Sequence, residues 1–325
     1  MAKMTLIDAV NMAMAHELAN DDRVVVYGED VGVNGGVFRA TAGLQERFGE
    51  NRVMDTPLAE SMIAGMGVGM AAQGLRPVGE IQFSGFIYPA FDQIISHASR
   101  LRNRTRGRMT CPLVIRAPFG GGIHAPEHHS ESTEALFAHI PGLRTVIPSS
   151  PQRAYGLLLA AIRCPDPVIF FEPNRLYRLT KQEVEDNGEA LPLDVCFVLR
   201  EGTDVTLVSW APTMNETLKA AAELEEEGIS CEVIDVATVA PLDMETILDS
   251  VANTGRLVIA HEAPRNVGIG GEIAANVAEK GIYDLRAPIQ RVTGYDTIMP
   301  LAKMEKQYLP STARIKDAVR RTMEE

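Results

Sequence analysis

Two α/β domains built on largely parallel sheets are the fold this sequence predicts, on three observations. Strand and helix signals alternate along the whole chain, the pattern of repeated βαβ units. Several strand signals are short β-branched runs such as Arg23-Val24-Val25-Val26-Tyr27, which suit strands covered on both faces. The chain has 325 residues, enough for two domains at about 150 residues each, and needs no disulfides to hold a core.

The elements follow in order. Residues 5–18 carry apolar side chains at helical spacing, and 23–27 is the first strand. Residues 58–73 read as a helix that Thr56 caps and Pro57 opens, since proline suits the first helical position. Strands are expected at 78–83, 113–117, 145–148 and 168–172, with helices near 89–102 and 152–163. The polar stretch 181–193, with Asp186-Asn187-Gly188 and Pro192, reads as the start of a connection. Beyond it, strands at 204–210, 231–235 and 257–261 alternate with helices at 214–227, 242–251 and 271–280. The expected division is a first domain over 1–185, a linker over 186–200 and a second domain over 201–325.

Composition narrows the function. Hydrophobic residues make up 46% and charged residues 23%, the balance of a globular protein. The net charge of −12 argues against non-specific phosphate binding, and hence against a nucleic-acid partner. Charge is uneven: residues 1–185 carry 18 basic and 19 acidic side chains, residues 186–325 carry 13 and 24. Cys111, Cys164, Cys196 and Cys231 form no CxxC pair, so they read as reduced thiols of a cytoplasmic protein. No apolar run reaches the roughly 18 residues that span a bilayer, and the opening residues lack a signal-peptide core.

Four segments could carry chemistry. The string Gly65-Met66-Gly67-Val68-Gly69-Met70-Ala71-Ala72 contains GxGxxA, but it falls inside a helix rather than between a strand and a helix. It reads as a small-residue face that lets a neighbour approach closely. Arginines at 100, 102, 104, 106 and 108 make a solvated or interface-facing turn, with phosphate binding as the other reading. His124, His128 and His129 lie in a glycine- and proline-containing loop, which cannot present a metal-binding helix face and suits substrate handling. Glu60 is either a first-turn glutamate favoured by the helix dipole or a carboxylate in apolar surroundings that exchanges a proton near neutrality.

A series of motifs then appears in order: Tyr27-Gly28-Glu29-Asp30-Val31-Gly32, Thr56-Pro57-Leu58-Ala59-Glu60, Gly79-Glu80-Ile81-Gln82-Phe83, Phe91-Asp92-Gln93-Ile94 and His129-Ser130. With Pro141-Gly142-Leu143 and Val239-Ala240-Pro241-Leu242-Asp243, the series resembles the beta subunit of thiamine-diphosphate-dependent 2-oxo acid dehydrogenases of the pyruvate and branched-chain complexes. The resemblance runs from Thr5 to the C-terminus. It implies a thiamine-enzyme pyrimidine-binding domain with a parallel sheet, followed by a transketolase C-terminal-like α/β domain. It further implies that Glu60 hydrogen-bonds the aminopyrimidine ring of thiamine diphosphate and so promotes activation of the thiazolium carbon. Phe86 then packs on the pyrimidine, with Glu29, Leu58, Ala59 and Gln82 as neighbouring contacts. His129 is the histidine near the substrate, used in proton transfer and reductive acylation of lipoyl groups. A structural potassium ion is implied at Leu113, Ala161, Ile162, Cys164 and Asp166, although Cys164-Pro165-Asp166-Pro167 departs from the Arg-Asp-Asn-type strings common in the family.

Thiamine enzymes hold magnesium and diphosphate through a Gly-Asp-Gly segment, and this sequence contains none. The resemblance therefore assigns that half of the site, with its Mg2+, to a separate alpha subunit in an α2β2 heterotetramer that works with a lipoyl-transacylase core. The expected reaction is oxidative decarboxylation of pyruvate. A branched-chain 2-oxo acid, half of a split transketolase-like enzyme, and a non-catalytic assembly subunit are the alternatives.

Overall fold

The computed structural model describes residues 2–324. The first helix, Leu6–Asn20, begins at a reciprocal cap: the Asp8 N–H donates to the Thr5 hydroxyl, and the Thr5 N–H donates to the Asp8 carboxylate at 3.0 Å. Such a cap stabilises a helix by about 1 kcal/mol. The helix buries Leu6, Val10, Ala13 and Met14 in one apolar cluster with Ala154, Leu157, Leu158 and Ala161 of the helix Pro151–Arg163.

In chain order the strands of the first half are β1 (Ala2–Met4), β2 (Val24–Gly28), β3 (Val53–Asp55), β4 (Arg76–Glu80), β5 (Val114–Phe119), β6 (Arg144–Val146), β7 (Val168–Pro173) and β8 (Gln182–Val184). Those of the second half are β9 (Phe197–Arg200), β10 (Val205–Ser209), β11 (Cys231–Asp235), β12 (Thr238–Ala240), β13 (Leu257–Pro264) and β14 (Gln290–Gly294). Among the described residues the larger sheet runs β12-β6-β7-β5-β4-β2-β3, parallel except for β12. The second runs β14-β13-β10-β11-β9, parallel except for β9. Both are the α/β sheets the sequence predicts, and β2, β5 and β7 are buried at every position.

The two halves are more interlocked than a linker over 186–200 suggests. β9 lies within that stretch, so residues 197–200 belong to the second sheet. β12, from beyond it, pairs with β6 and closes the edge of the first sheet. β1 and β8 pair antiparallel, Ala2 opposite Val184, and tie the chain start to the end of the first half. Phe119, Phe137 and Phe171 share one apolar cluster with Trp210, Ile234 and Val236, so a common core joins the halves.

Two expected helices differ in detail. The helix expected over 58–73 spans Glu60–Ala72, with Ala59 rather than Thr56 at its cap. The reason is that the β2–β3 ladder continues one residue further: the Thr56 N–H donates to the Gly28 carbonyl at 2.9 Å and keeps the chain extended. The region near 89–102 is a series of short turns, from Tyr88–Ala90 through a wide π-turn at Ile94–Ala98 to Leu101–Arg104. The helices Ala302–Tyr308 and Thr312–Glu324 lie beyond the last element expected from the sequence. The second of these buries Ile315, Ala318 and Val319 with Met214 and Leu224.

Candidate active site

Ligands of parallel sheets sit outside the carboxyl ends of the strands. At that edge β5, β4, β2 and β3 lie side by side. Their following loops carry, respectively, His129, then Gln82 and Phe86, then Glu29, then Leu58, Ala59 and Glu60. Residues far apart in sequence thus come from four adjacent strand ends.

Glu60 is the first residue of its helix and is half-buried. The helix is pinned to the sheet by the buried Tyr27, whose hydroxyl donates to the Ile63 carbonyl at 3.0 Å. A Cβ at Gly67 would come within 2.2 Å of that hydroxyl, so the glycine lets this helix lie on its own sheet. This accounts for one glycine of the GxGxxA string without a nucleotide. Leu58 and Met62 are exposed beside Glu60, so the apolar surroundings expected for it are not completed within this chain. The neighbouring Glu29 carboxyl is raised above the ordinary carboxylate range, first by burial and then by the charges of Glu60 and Asp30.

The structure brings Phe86 and His129 together: the rings meet edge-on with centroids 5.0 Å apart, and Phe83 contacts the same imidazole at 4.5 Å. The Nδ1 of His129 lies 2.9 Å from the Glu127 carbonyl, which favours the tautomer protonated there and leaves Nε2 free as an acceptor. His128 is exposed, and its ring centroid lies 6.3 Å from that of Tyr88.

Ala161 and Ile162 lie in the last turn of the helix Pro151–Arg163 and Cys164 caps it, while the Leu113 carbonyl accepts from the Val168 N–H at 2.9 Å, two residues beyond Asp166. The Arg76 guanidinium donates to the Ile162 carbonyl at 2.8 Å and to the Cys164 carbonyl at 3.4 Å. The Asp166 carboxylate is held by Arg102 at 2.6 Å and Arg144 at 3.7 Å, which takes up its charge. Arg102 is the member of the alternating arginine series that forms an ion pair among the described residues.

Sequence reasoning missed a buried ionic cluster directly behind the site. Arg116 on β5 donates to both Glu172 oxygens at 2.6 and 2.9 Å and to Glu80 at 2.9 Å, and the Tyr177 hydroxyl donates to Glu172 at 2.6 Å. Burial opposes the charge on Arg116, yet Glu172 and Glu80 outweigh it and hold the guanidinium protonated. Burial also raises the Glu80 carboxyl, against the pull of Arg116. The available signal was a charged residue in each of three strand runs, Glu80 on β4, Arg116 on β5 and Glu172 on β7.

A further buried acid, Glu134, lies outside that cluster. Glu134 accepts from the Trp210 indole N–H at 3.3 Å across the two halves, and burial raises its carboxyl to about 7 from 4.5. The folded chain keeps this proton at pH values where an unfolded glutamate has lost it. The stability it contributes is therefore complete below pH 4.5 and is lost as pH rises through about 7. From the two values the loss is about 3 kcal/mol. Glu134→Gln is expected to flatten the fall in stability over that interval, read by denaturant unfolding with the single tryptophan as reporter. An unchanged slope would assign the titration to another group.

Comparison with known proteins agrees with the geometry. Residues 2–180 match the transketolase pyrimidine-binding domain, and residues 196–315 match the transketolase C-terminal domain. A solved split-gene transketolase, described as an inactive beta4 tetramer, superposes with a TM-score of 0.80 at 22% identity over 99% of both chains, and so shares the fold. The pyruvate dehydrogenase E1 component subunit beta of Acholeplasma laidlawii is 49% identical over 321 residues, covering 99% of this chain and 98% of that one. That of Bacillus subtilis is 48% identical over 324 residues, the full length of both. The chain belongs to the family of pyruvate dehydrogenase E1 component beta subunits.

Proposed function

We propose that this chain is the beta subunit of a cytoplasmic α2β2 2-oxo acid dehydrogenase that decarboxylates pyruvate and passes the acyl group to lipoyl groups of a transacylase core. The observation that carries the reading is the convergence of Glu60, Phe86 and His129 at one strand edge, in a chain about half identical to pyruvate dehydrogenase beta subunits. Thiamine diphosphate, when bound, supplies the electron sink for loss of carbon dioxide. Its pyrimidine fits this edge, where a half-buried carboxylate at a helix start stands with an aromatic ring from the next loop.

In this reading Glu60 hydrogen-bonds the pyrimidine and holds or releases its proton. Glu29, Leu58, Ala59 and Gln82 line the ring, and Phe86 packs on its face. His129, with its ring fixed by Phe83, Phe86 and the Glu127 carbonyl, moves a proton at the lipoyl sulfur. The alpha subunit holds magnesium and diphosphate, because this sequence has no Gly-Asp-Gly. The carbonyls of Leu113, Ala161, Ile162, Cys164 and Asp166 would hold a structural potassium ion beside Arg76. The acidic second half provides the charge for docking a basic segment of the core. No helix among the described residues is long and apolar enough to cross a membrane.

The test is co-expression with an alpha chain, followed by assays on pyruvate, 2-oxoisovalerate and a ketose phosphate donor. Pyruvate is expected to exceed 2-oxoisovalerate in kcat/KM by about 10–100-fold, the scale on which a pocket discriminates between alkyl groups. Preference for the branched acid would reassign the substrate, and two-carbon transfer without decarboxylation would overturn the dehydrogenase reading.

A further inference from the structure

The loop that carries His129 leaves β5 at Gly120 and returns at Ser132. Its neck is closed within the first half, where the Gly120 N–H donates to the Glu131 carbonyl at 2.9 Å and the Ser84 hydroxyl donates to the same oxygen at 2.8 Å. Beyond the neck, Phe83 and Phe86 of the first half pack on the His129 ring, and the loop's hydrogen bonds to other elements among the described residues go to the second half. Glu262, near the end of β13, accepts from the Gly121 N–H at 2.5 Å and from the Ser132 hydroxyl at 3.4 Å, so one carboxylate spans both sides of the neck. Glu305, on the helix Ala302–Tyr308, accepts from the Gly122 N–H at 2.7 Å and the His124 N–H at 3.3 Å, and lies 2.7 Å from His124 Nδ1. Both carboxylates are nearly inaccessible, Glu262 at 3% and Glu305 at 2% exposure.

The loop is shaped to receive them. Gly120 and Gly122 adopt φ of +80° and +91°, and His124 adopts +58°, a left-handed series that turns successive N–H groups towards the second half. At Gly120 a Cβ would come within 2.8 Å of the Glu262 carboxylate, and at Gly121 within 2.6 Å of Met299. Buried carboxylates are costly unless hydrogen-bonded, and here backbone donors of the loop bond both Glu305 oxygens and one oxygen of Glu262, whose other oxygen has no partner among the described residues.

We infer that Glu262 and Glu305 are positioning residues through which the second half of the chain holds the 120–132 loop, and with it His129, in working geometry. This rests on the reading of His129 given above. Displacement of a reacting group by about 1 Å can cost about 100-fold in rate, so release of the loop should be felt in the acyl-transfer step.

The experiment uses the assembled α2β2 enzyme with Glu305→Ala and, separately, Glu262→Gln, beside His129→Ala. Hydrogen–deuterium exchange is read across 120–132, and acyl transfer to a lipoyl domain is compared with dye-coupled decarboxylation. The expected result is at least tenfold faster exchange confined to the loop, with unchanged exchange in β5 and β7. Acyl transfer should fall about 10–100-fold and decarboxylation less. Adding Glu305→Ala to His129→Ala should cause little further loss of transfer, because both act through one imidazole. Loop exchange at the wild-type rate would overturn the inference, and so would faster exchange with full transfer activity. If His129→Ala retains transfer while Glu305→Ala loses it, the latch stands and the role given to His129 falls.

Discussion

Glu60→Gln in the assembled enzyme is expected to slow proton exchange at the reactive carbon of bound thiamine diphosphate, and decarboxylation with it, by about 10²–10⁴-fold. The substitution is close to isosteric, and its side chain is half-buried at the first position of the helix Glu60–Ala72. Loss of a negative charge there should change stability by only about 0.3–1 kcal/mol, through the helix dipole. An amide can still hydrogen-bond but cannot serve as the carboxylate partner in proton transfer, so activity and stability should separate. Exchange measured by rapid acid quench and proton NMR gives the rate, and thermal unfolding gives the stability. The Glu29 carboxyl should move as well. Burial is the first cause of its elevation and remains, while the charge of Glu60 is removed, so it should fall towards the ordinary range. Wild-type exchange in a correctly assembled Glu60→Gln enzyme would remove Glu60 from the proton path.

The long elements were legible because they are locally specified. The periodic apolar face announces the helix Leu6–Asn20, and three consecutive valines announce β2. What escaped was set by pairing across the fold. Thr56-Pro57 looks like a helix start, but the hydrogen bond to Gly28 depends on β2 lying alongside, which local sequence does not show. Strands of three residues such as β1, β3 and β12 are too short for a period to emerge. The order of the motifs located Glu60 and His129, whereas Glu262 and Glu305 lie 141 and 183 residues from the N–H groups they hold. Nothing local marks a glutamate as the acceptor for a distant glycine loop. The arginine in β5 could have been questioned, since a charge within a continuous apolar strand needs a buried partner.

That arginine carries the largest expected effect on stability. Arg116→Met is expected to destabilise the chain by about 3–5 kcal/mol, because it leaves Glu80 and Glu172 buried without a countercharge. The methionine fills much of the space, so the loss comes from electrostatics more than from a cavity. The pH dependence follows. Burial already raises the Glu80 carboxyl and Arg116 is what lowers it, so without Arg116 it should take up a proton at still higher pH. The deficit of Arg116→Met should therefore be greatest above neutrality and shrink as acid neutralises the stranded carboxylate. Arg116→Lys keeps the charge but not the two-pronged bond to Glu172, and should fall between the two. Neutralising both acids in Arg116→Met/Glu80→Gln/Glu172→Gln should recover much of the loss, since the remaining amides can bond to one another and to the Tyr177 hydroxyl. Glu80 ends β4 and is followed by Ile81 and then Gln82 of the candidate site, so the cofactor-facing edge should loosen along with the core. Denaturant unfolding at pH 6 and pH 9 checks both parts. A loss below about 1 kcal/mol, equal at the two pH values, would mean that water reaches the cluster and that the arginine is not its essential countercharge.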